Sequence, residues 1–319
     1  MKGSFDHLVV KSHHGQSAAT IASASVDTLS GVSASDADHL REAFGIETVG
    51  DLAANRFVQA AQAILIASVD PGHDRGPDLA WTAFFQQAPL NVYQAHPSDF
   101  RLDFGPVWYR GRLDGTARVL IIGQDPAANE LVGHRIFLGA SGQRIQGFLG
   151  KLGITRDYIM INTFLYPVFG QFFQLSDLSH DSHIQGFRND LLNRIVEKNP
   201  IEVVIAVGTA GKDAIENWPN PRAFPWQHIQ HPSARDHAAL FASWNAGVTA
   251  LRAIVEPEQG VAPDMTNYGT DWTDADHRPV PRRDLPFGLP EWHGVGSHAS
   301  RGRENDGSTD HKAIIWRAP

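Results

Sequence analysis

Residues 117–129 read ARVLIIGQDPAAN. Val119 to Ile122 make an unbroken apolar run rich in β-branched side chains that stops at Gly123, the pattern of a strand buried on both faces of a parallel sheet. Gly123 and Pro126 then set a tight turn. In open α/β sheets ligands bind in the crevice beyond the carboxyl ends of the strands, so this turn aims Gln124 and Asp125 at the place where chemistry is expected. Taken by itself, Asp125 reads equally well as the cap of the following helix. The rest of the chain separates the two readings.

Outward from this stretch, residues 104–255 alternate strand and helix patterns. Tyr158 to Ile161, Val203 to Val207 and His228 to Gln230 read as further strands. Between them, Ile145, Phe148, Leu149 and Leu152, and then Ile184, Phe187, Leu191, Leu192, Ile195 and Val196, recur at helical spacing. A last helix is expected from His237 to Val255. The fold class is therefore α/β: a three-layer α/β/α arrangement with a central, mainly parallel four-stranded sheet.

The flanks look different. Residues 1–34 are small and polar and read as a loosely held arm. Residues 35–103 read as a helical N-terminal layer. Asp36 and Asp38 suit a helix start, Leu40 and Phe44 follow, Gly45 stops it, and Leu52 with Phe57 to Val69 suggests a longer second helix. Trp81, Phe84 and Phe85 have the spacing of a core-packing helix. Residues 256–319, rich in Pro, Gly, Asp and Arg, read as an irregular C-terminal extension, with Ala313 to Trp316 as a possible edge strand.

Composition removes several classes of function. The chain has 319 residues, of which 42% are hydrophobic, enough for one large core. It has no cysteine, which excludes disulfides, a thiol nucleophile and any cysteine-held zinc or iron–sulfur cluster. No apolar run approaches the roughly 20 residues of a membrane helix, and the opening MKGSFDHLVVKSHHGQS lacks the apolar core of a secretory signal, so cytoplasmic placement is expected. The net charge of −8 argues against a uniformly basic nucleic-acid binder but leaves room for a local basic face. The histidines show no metal-ligand spacing.

Three strand ends carry groups that can converge: Asp125, Asn162 in YIMINTF, and His231 in IQHPSARD. A fourth ends in Gly208 of AVGTAGK. That motif is no nucleotide phosphate loop, because Asp213 stands where Ser or Thr must follow the Lys. It reads instead as a strand-to-helix turn whose helix start can hold a DNA phosphate. Singly, Asn162 reads as a turn-former and His231 as a structural histidine. Together, an acid, an amide and an imidazole occupy equivalent ends of strands in one sheet.

These residues resemble a known family. GQDPA at 123–127, Asn162 after a buried strand and HPSAR at 231–235 look like the first motif, the base-reading asparagine and the last motif of the uracil-DNA glycosylase superfamily, over about residues 104–255. Gly-Gln-Asp-Pro is similar to the family-1 form. The chain also resembles a divergent, cysteine-free bacterial branch known from bradyrhizobia. The resemblance implies an enzyme that flips uracil out of DNA and hydrolyses its glycosidic bond without metal or organic cofactor. It implies Asp125 and His231 as catalytic groups, and Gln124, Phe137 and Asn162 as substrate-binding ones, with Phe137 stacking on the base.

The resemblance also has gaps. The family-1 enzymes follow Gln-Asp-Pro with a tyrosine that excludes the thymine methyl; here Ala127 stands there, so selectivity falls to Tyr166 or Phe169 in YPVFGQFF, or is relaxed. The family wedges a leucine from the last motif into the duplex, and Ala234 and Arg235 replace its Pro-Leu pair, making Arg235 the candidate substitute. His134 lies where one branch carries a histidine that attacks the sugar covalently, although the first motif there differs.

DNA contact is assigned to Gly208, Lys212, Ser233 and Arg235, with Arg135, Arg144, Lys151 and Arg156 as further phosphate candidates. The partner expected is uracil-containing DNA, acted on by a monomer with neither a membrane nor an iron–sulfur cluster. The alternatives are a non-catalytic DNA or nucleotide binder on the same fold, a glycosylase of relaxed base specificity, and a hydrolase of small nucleosides.

Overall fold

A computed structural model describes residues 5–68, 72–219, 224–289, 298–299 and 314–315. The chain divides into two compact units, 1–71 and 72–319. In the first, four helices follow one another: α1 (Ala18–Ala22), α2 (Ala34–Phe44), α3 (Val49–Ala54) and α4 (Arg56–Ser68). Ser33 and Thr48 start α2 and α3 with reciprocal capping boxes to Asp36 and Asp51. Gly45 ends α2 in the left-handed conformation at φ 66°. Within residues 5–34, read above as a loose arm, Val10 donates to Thr28, Val26 to Glu47 and Ser30 to Leu8. Of the apolar side chains there, Val9, Ile21 and Val26 are buried, while Phe5, Leu8 and Val10 are exposed.

The second unit opens with α5 (Leu79–Phe85) and α6 (Leu90–Gln94). Trp81, Phe84 and Phe85 of α5 enter the main core. The sheet and its helices follow: β1 (Arg110–Gly111), β2 (Val119–Gly123), α7 (Ala128–Gly133), α8 (Gly139–Lys151), β3 (Tyr158–Asn162), α9 (Phe172–Ser179), α10 (Ser182–Lys198), β4 (Val203–Val207), α11 (Gly208–Glu216), β5 (Trp226–Ile229) and α12 (His237–Arg252).

The sheet has five strands in the order β1-β3-β2-β4-β5. Four are parallel, and β1 pairs antiparallel with β3. The expected four-stranded sheet thus gains a two-residue edge too short to leave a hydrophobic pattern. Every residue of β2, β3 and β4 is buried. Since successive side chains face opposite sides, both sheet faces are covered. Val119, Leu120, Ile121 and Ile122 are each fully buried, and each contributes about 1.5–3 kcal/mol of apolar burial. From β2 the chain crosses to β3 on one side and then returns to β4 on the other. The reversal lies between β2 and β4, where a ligand crevice is expected in such a sheet.

Residues 256–289 are tied down by acids as well as by scattered buried side chains, Tyr268, Val280 and Leu285. Glu258 accepts the main-chain N–H groups of Thr155, Arg156 and Asp157 at 2.9, 2.7 and 2.8 Å, holding the entry to β3. Asp264 pairs with Lys151 at 3.0 Å. Asp284 pairs with Arg112, lies 3.8 Å from the guanidinium of Arg110 and accepts from the Tyr158 hydroxyl. The irregular composition therefore conceals an ordered strap. Further on, His298–Ala299 pairs antiparallel with Ile314–Ile315 in a separate two-stranded sheet, not at the edge of the main one. Ala313 and Trp316 lie outside the described residues.

Candidate active site

Gly123 ends β2 opposite Asn162, the last residue of β3. A Cβ built on Gly123 would fall 2.5 Å from the Asn162 carboxamide oxygen and 2.6 Å from the ring tip of Phe137. Only glycine lets the amide and the ring meet at the end of the central strand. Phe137 has φ 54°, a left-handed conformation that is costly for a bulky residue. Its carbonyl lies directly on Gly142 of α8, where any side chain would collide with it. Phe137 and Asn162 are both nearly buried, at 6% exposure.

The turn after Gly123 holds Asp125 half-buried. The Gln124 amide donates to one carboxylate oxygen at 3.0 Å, and the Val168 main-chain N–H donates to the other at 3.0 Å. The Val168 contact places the loop after β3 beside the acid. In that loop Tyr166 is buried against Tyr93, its ring 5.2 Å away, and Phe169 lies 5.7 Å from the Arg101 guanidinium. Burial pushes the Tyr166 phenol above its ordinary range and keeps it neutral.

His231 follows β5 and packs on Gly208 at the start of α11. A Cβ on Gly208, whose φ is 72°, would lie 3.1 Å from that of His231. The Ser233 N–H donates to His231 Nδ1 at 3.2 Å. A neutral imidazole with Nδ1 accepting carries its proton on Nε2, which is then a donor.

Side-chain links join these strand ends to one another. Thr163 donates its hydroxyl to Gly123 O at 2.8 Å and lies 3.1 Å from Ala210 O, linking the ends of β2 and β3 to the first turn of α11. Ser141, in the first turn of the helix that follows Phe137, meets Ser233 at 3.1 Å. The sequence-predicted Asp125, Asn162, Phe137, Gly208, Ser233 and His231 are thus joined through one contiguous set of contacts. Lys212 faces outward with Glu216, 3.6 Å away, and Arg235 is exposed.

Three of the cations offered above for phosphates serve internal contacts instead. Lys151 is only 2% exposed and pairs with Asp264 and the Thr266 carbonyl. Arg135 donates to Asp74 at 2.7 Å over the Tyr109 ring. Arg144 donates to Pro232 O at 2.9 Å and to His277 at 3.1 Å. Arg156, half-exposed, lies 3.7 Å from Glu258. His134 caps the end of α7 at φ 49°, and burial followed by the charge of Arg135 lowers its pKa, favouring the neutral ring.

Two contributors leave no sequence signal as site residues. Glu130 is buried at 4% exposure and reads as an ordinary helix acid, and the Val168 contribution is main-chain.

A carboxylate, a carboxamide and an imidazole thus stand at or just beyond strand ends of a mainly parallel α/β sheet. Residues 111–246 match the family model described as "Uracil DNA glycosylase superfamily", a superfamily whose members are DNA glycosylases. Among curated proteins none matches the chain. Among the described residues, no helix is long and apolar enough to cross a membrane.

Proposed function

We propose that this protein is a uracil-DNA glycosylase, with residues 104–255 as its catalytic core. The observation that carries the reading is the meeting of Asn162 and Phe137 beside Gly123, an amide and an aromatic ring brought to one point at the end of the central strand. A flipped uracil stacks on Phe137 and presents its Watson–Crick edge to Asn162. The amide accepts from N3–H and donates to O4, a pairing that cytosine reverses. With cytosine bound, the buried Asn162 groups face like partners and are left unpaired, at a cost of about 1–3 kcal/mol for each group.

In the bond-breaking step the C1′–N1 bond opens, its electron pair moves into the base, and the sugar becomes oxocarbenium-like. His231 donates its Nε2 proton as a hydrogen bond to O2, where the negative charge collects, a contribution of about 3 kcal/mol for one preorganised donor. Asp125, held on both oxygens by Gln124 and Val168, stabilises the cationic sugar and orients the water, whose oxygen bonds to C1′ while one of its protons goes to neutralise the departing uracil anion. Arg235 fills the space that the base leaves. Gly208, Lys212 and Ser233 hold the flanking backbone.

The test compares oligonucleotides bearing uracil, cytosine or thymine at one position. Release of free uracil with cytosine untouched supports the assignment, and inertness toward all three overturns it. Thymine release would place the enzyme among glycosylases of relaxed specificity, as Ala127 invites.

A further inference from the structure

We infer that Arg144 is a positioning residue for His231, and that Trp272 and His277, outside the matched 111–246 domain, hold it in place. The inference rests on the reading of His231 as the group that faces the leaving base.

The contact runs through a single peptide unit. The Pro232–Ser233 peptide offers its N–H to His231 Nδ1 at 3.2 Å, and its carbonyl accepts from Arg144 Nη1 at 2.9 Å. Nδ1 therefore accepts from an amide whose other end is anchored by a guanidinium, and a charged donor on the carbonyl strengthens the N–H as a donor. This fixes the ring plane and leaves the proton on Nε2.

The guanidinium is itself held on its other sides. Its Nε donates to His277 Nε2 at 3.1 Å, and its Cζ lies over the Trp272 ring, 4.5 Å from the ring centre. His277 Nδ1 faces the Thr273 carbonyl at 2.9 Å, so that nitrogen carries the proton and Nε2 is free to accept from Arg144. The strap that supplies these groups is seated on α8. Arg278 N–H donates to Gln143 O at 3.1 Å, and the Asp276 carbonyl occupies the space a side chain on Gly147 would need. A lysine cannot reproduce the arrangement, because its ammonium has neither the fork nor the stacking plane.

The test uses the full chain with single-turnover uracil release, DNA affinity and the ¹⁵N imidazole spectrum of His231. Arg144→Met is expected to slow base release by about tenfold to a hundredfold, as for a misplaced catalytic group. DNA affinity stays within about twofold, and the His231 spectrum passes from one tautomer to a mixture. His277→Ala is expected to slow release in the same direction, His277→Gln to restore most of the rate through its amide oxygen, and Arg144→Met with His277→Ala to be no slower than Arg144→Met alone. An unchanged His231 spectrum in both Arg144→Met and His277→Ala overturns the assignment, as does a loss of DNA affinity with the bound-state rate intact, which would make Arg144 a phosphate contact. If the wild type releases no uracil, the glycosylase reading fails, while the His231 spectrum still decides whether the clamp exists.

Discussion

Glu130 accepts the main-chain N–H of Leu138 at 2.8 Å on one carboxylate oxygen. Its other oxygen takes the N–H of Ala127 at 3.0 Å. Leu138 follows Phe137 and Ala127 lies two residues past Asp125, so one buried acid closes the loop between the two. Glu130→Ala would leave two amides without their acceptor. A loss of about 1–3 kcal/mol in urea unfolding is expected, together with slower base release.

Gly123→Ala tests the meeting of Asn162 and Phe137. Because the new methyl would meet the Asn162 oxygen and the Phe137 ring, both groups must move while the strand stays intact. A displacement of that size costs on the order of 10²-fold in rate. Single-turnover kinetics beside a thermal melt should show this fall in a protein that still melts cooperatively, with an overpacking loss of about 1–3 kcal/mol. An unaltered rate would mean that the two groups do not form the base site.

The strap should give the protein an acid-labile component. Burial raises the Glu258 carboxyl, but hydrogen bonds from Thr155, Asp157 and Arg156 outweigh it, and the net shift is downward from 4.5. At Asp264 burial is likewise outweighed, by Thr266 and Lys151, and the value falls from 3.8 to about 2. Groups with depressed folded values contribute stability that is complete above their unfolded pKa and is lost as pH falls through the folded one. Urea midpoints measured from pH 6 downward should therefore fall from near pH 4.5 toward pH 2. Glu258→Gln should flatten the upper part of that fall.

Removing Asp284 should be more damaging than removing a surface acid. Arg110 is fully buried beside it, and breaking a buried ion pair from one side costs about 3–5 kcal/mol. Equilibrium unfolding of Asp284→Ala measures this directly.

The sheet was legible where burial leaves a pattern. Val119 to Ile122, Tyr158 to Ile161 and Val203 to Val207 are continuous apolar runs because both faces of their strands are covered, and each coincides with an observed strand. The last strand is displaced toward Trp226, because an edge strand with exposed Trp226 and half-buried Gln227 and His228 has no such run. The strap escaped for a different reason. Its anchors are carboxylates on backbone amides and cations, with scattered buried side chains, and these leave no hydrophobic period. Asp125, Asn162 and His231 were legible as residue types at strand ends, whereas the contacts made around them by Glu130, Val168 and Arg144 are ones that sequence spacing does not encode.

The most direct measurement is uracil release from a single-uracil oligonucleotide by wild type and Asp125→Asn, with DNA affinity measured alongside. Wild type should liberate free uracil and leave an abasic site; the variant should be slower by at least about a hundredfold with its affinity retained. Equal rates in the two proteins, or no uracil from wild type, would contradict the account.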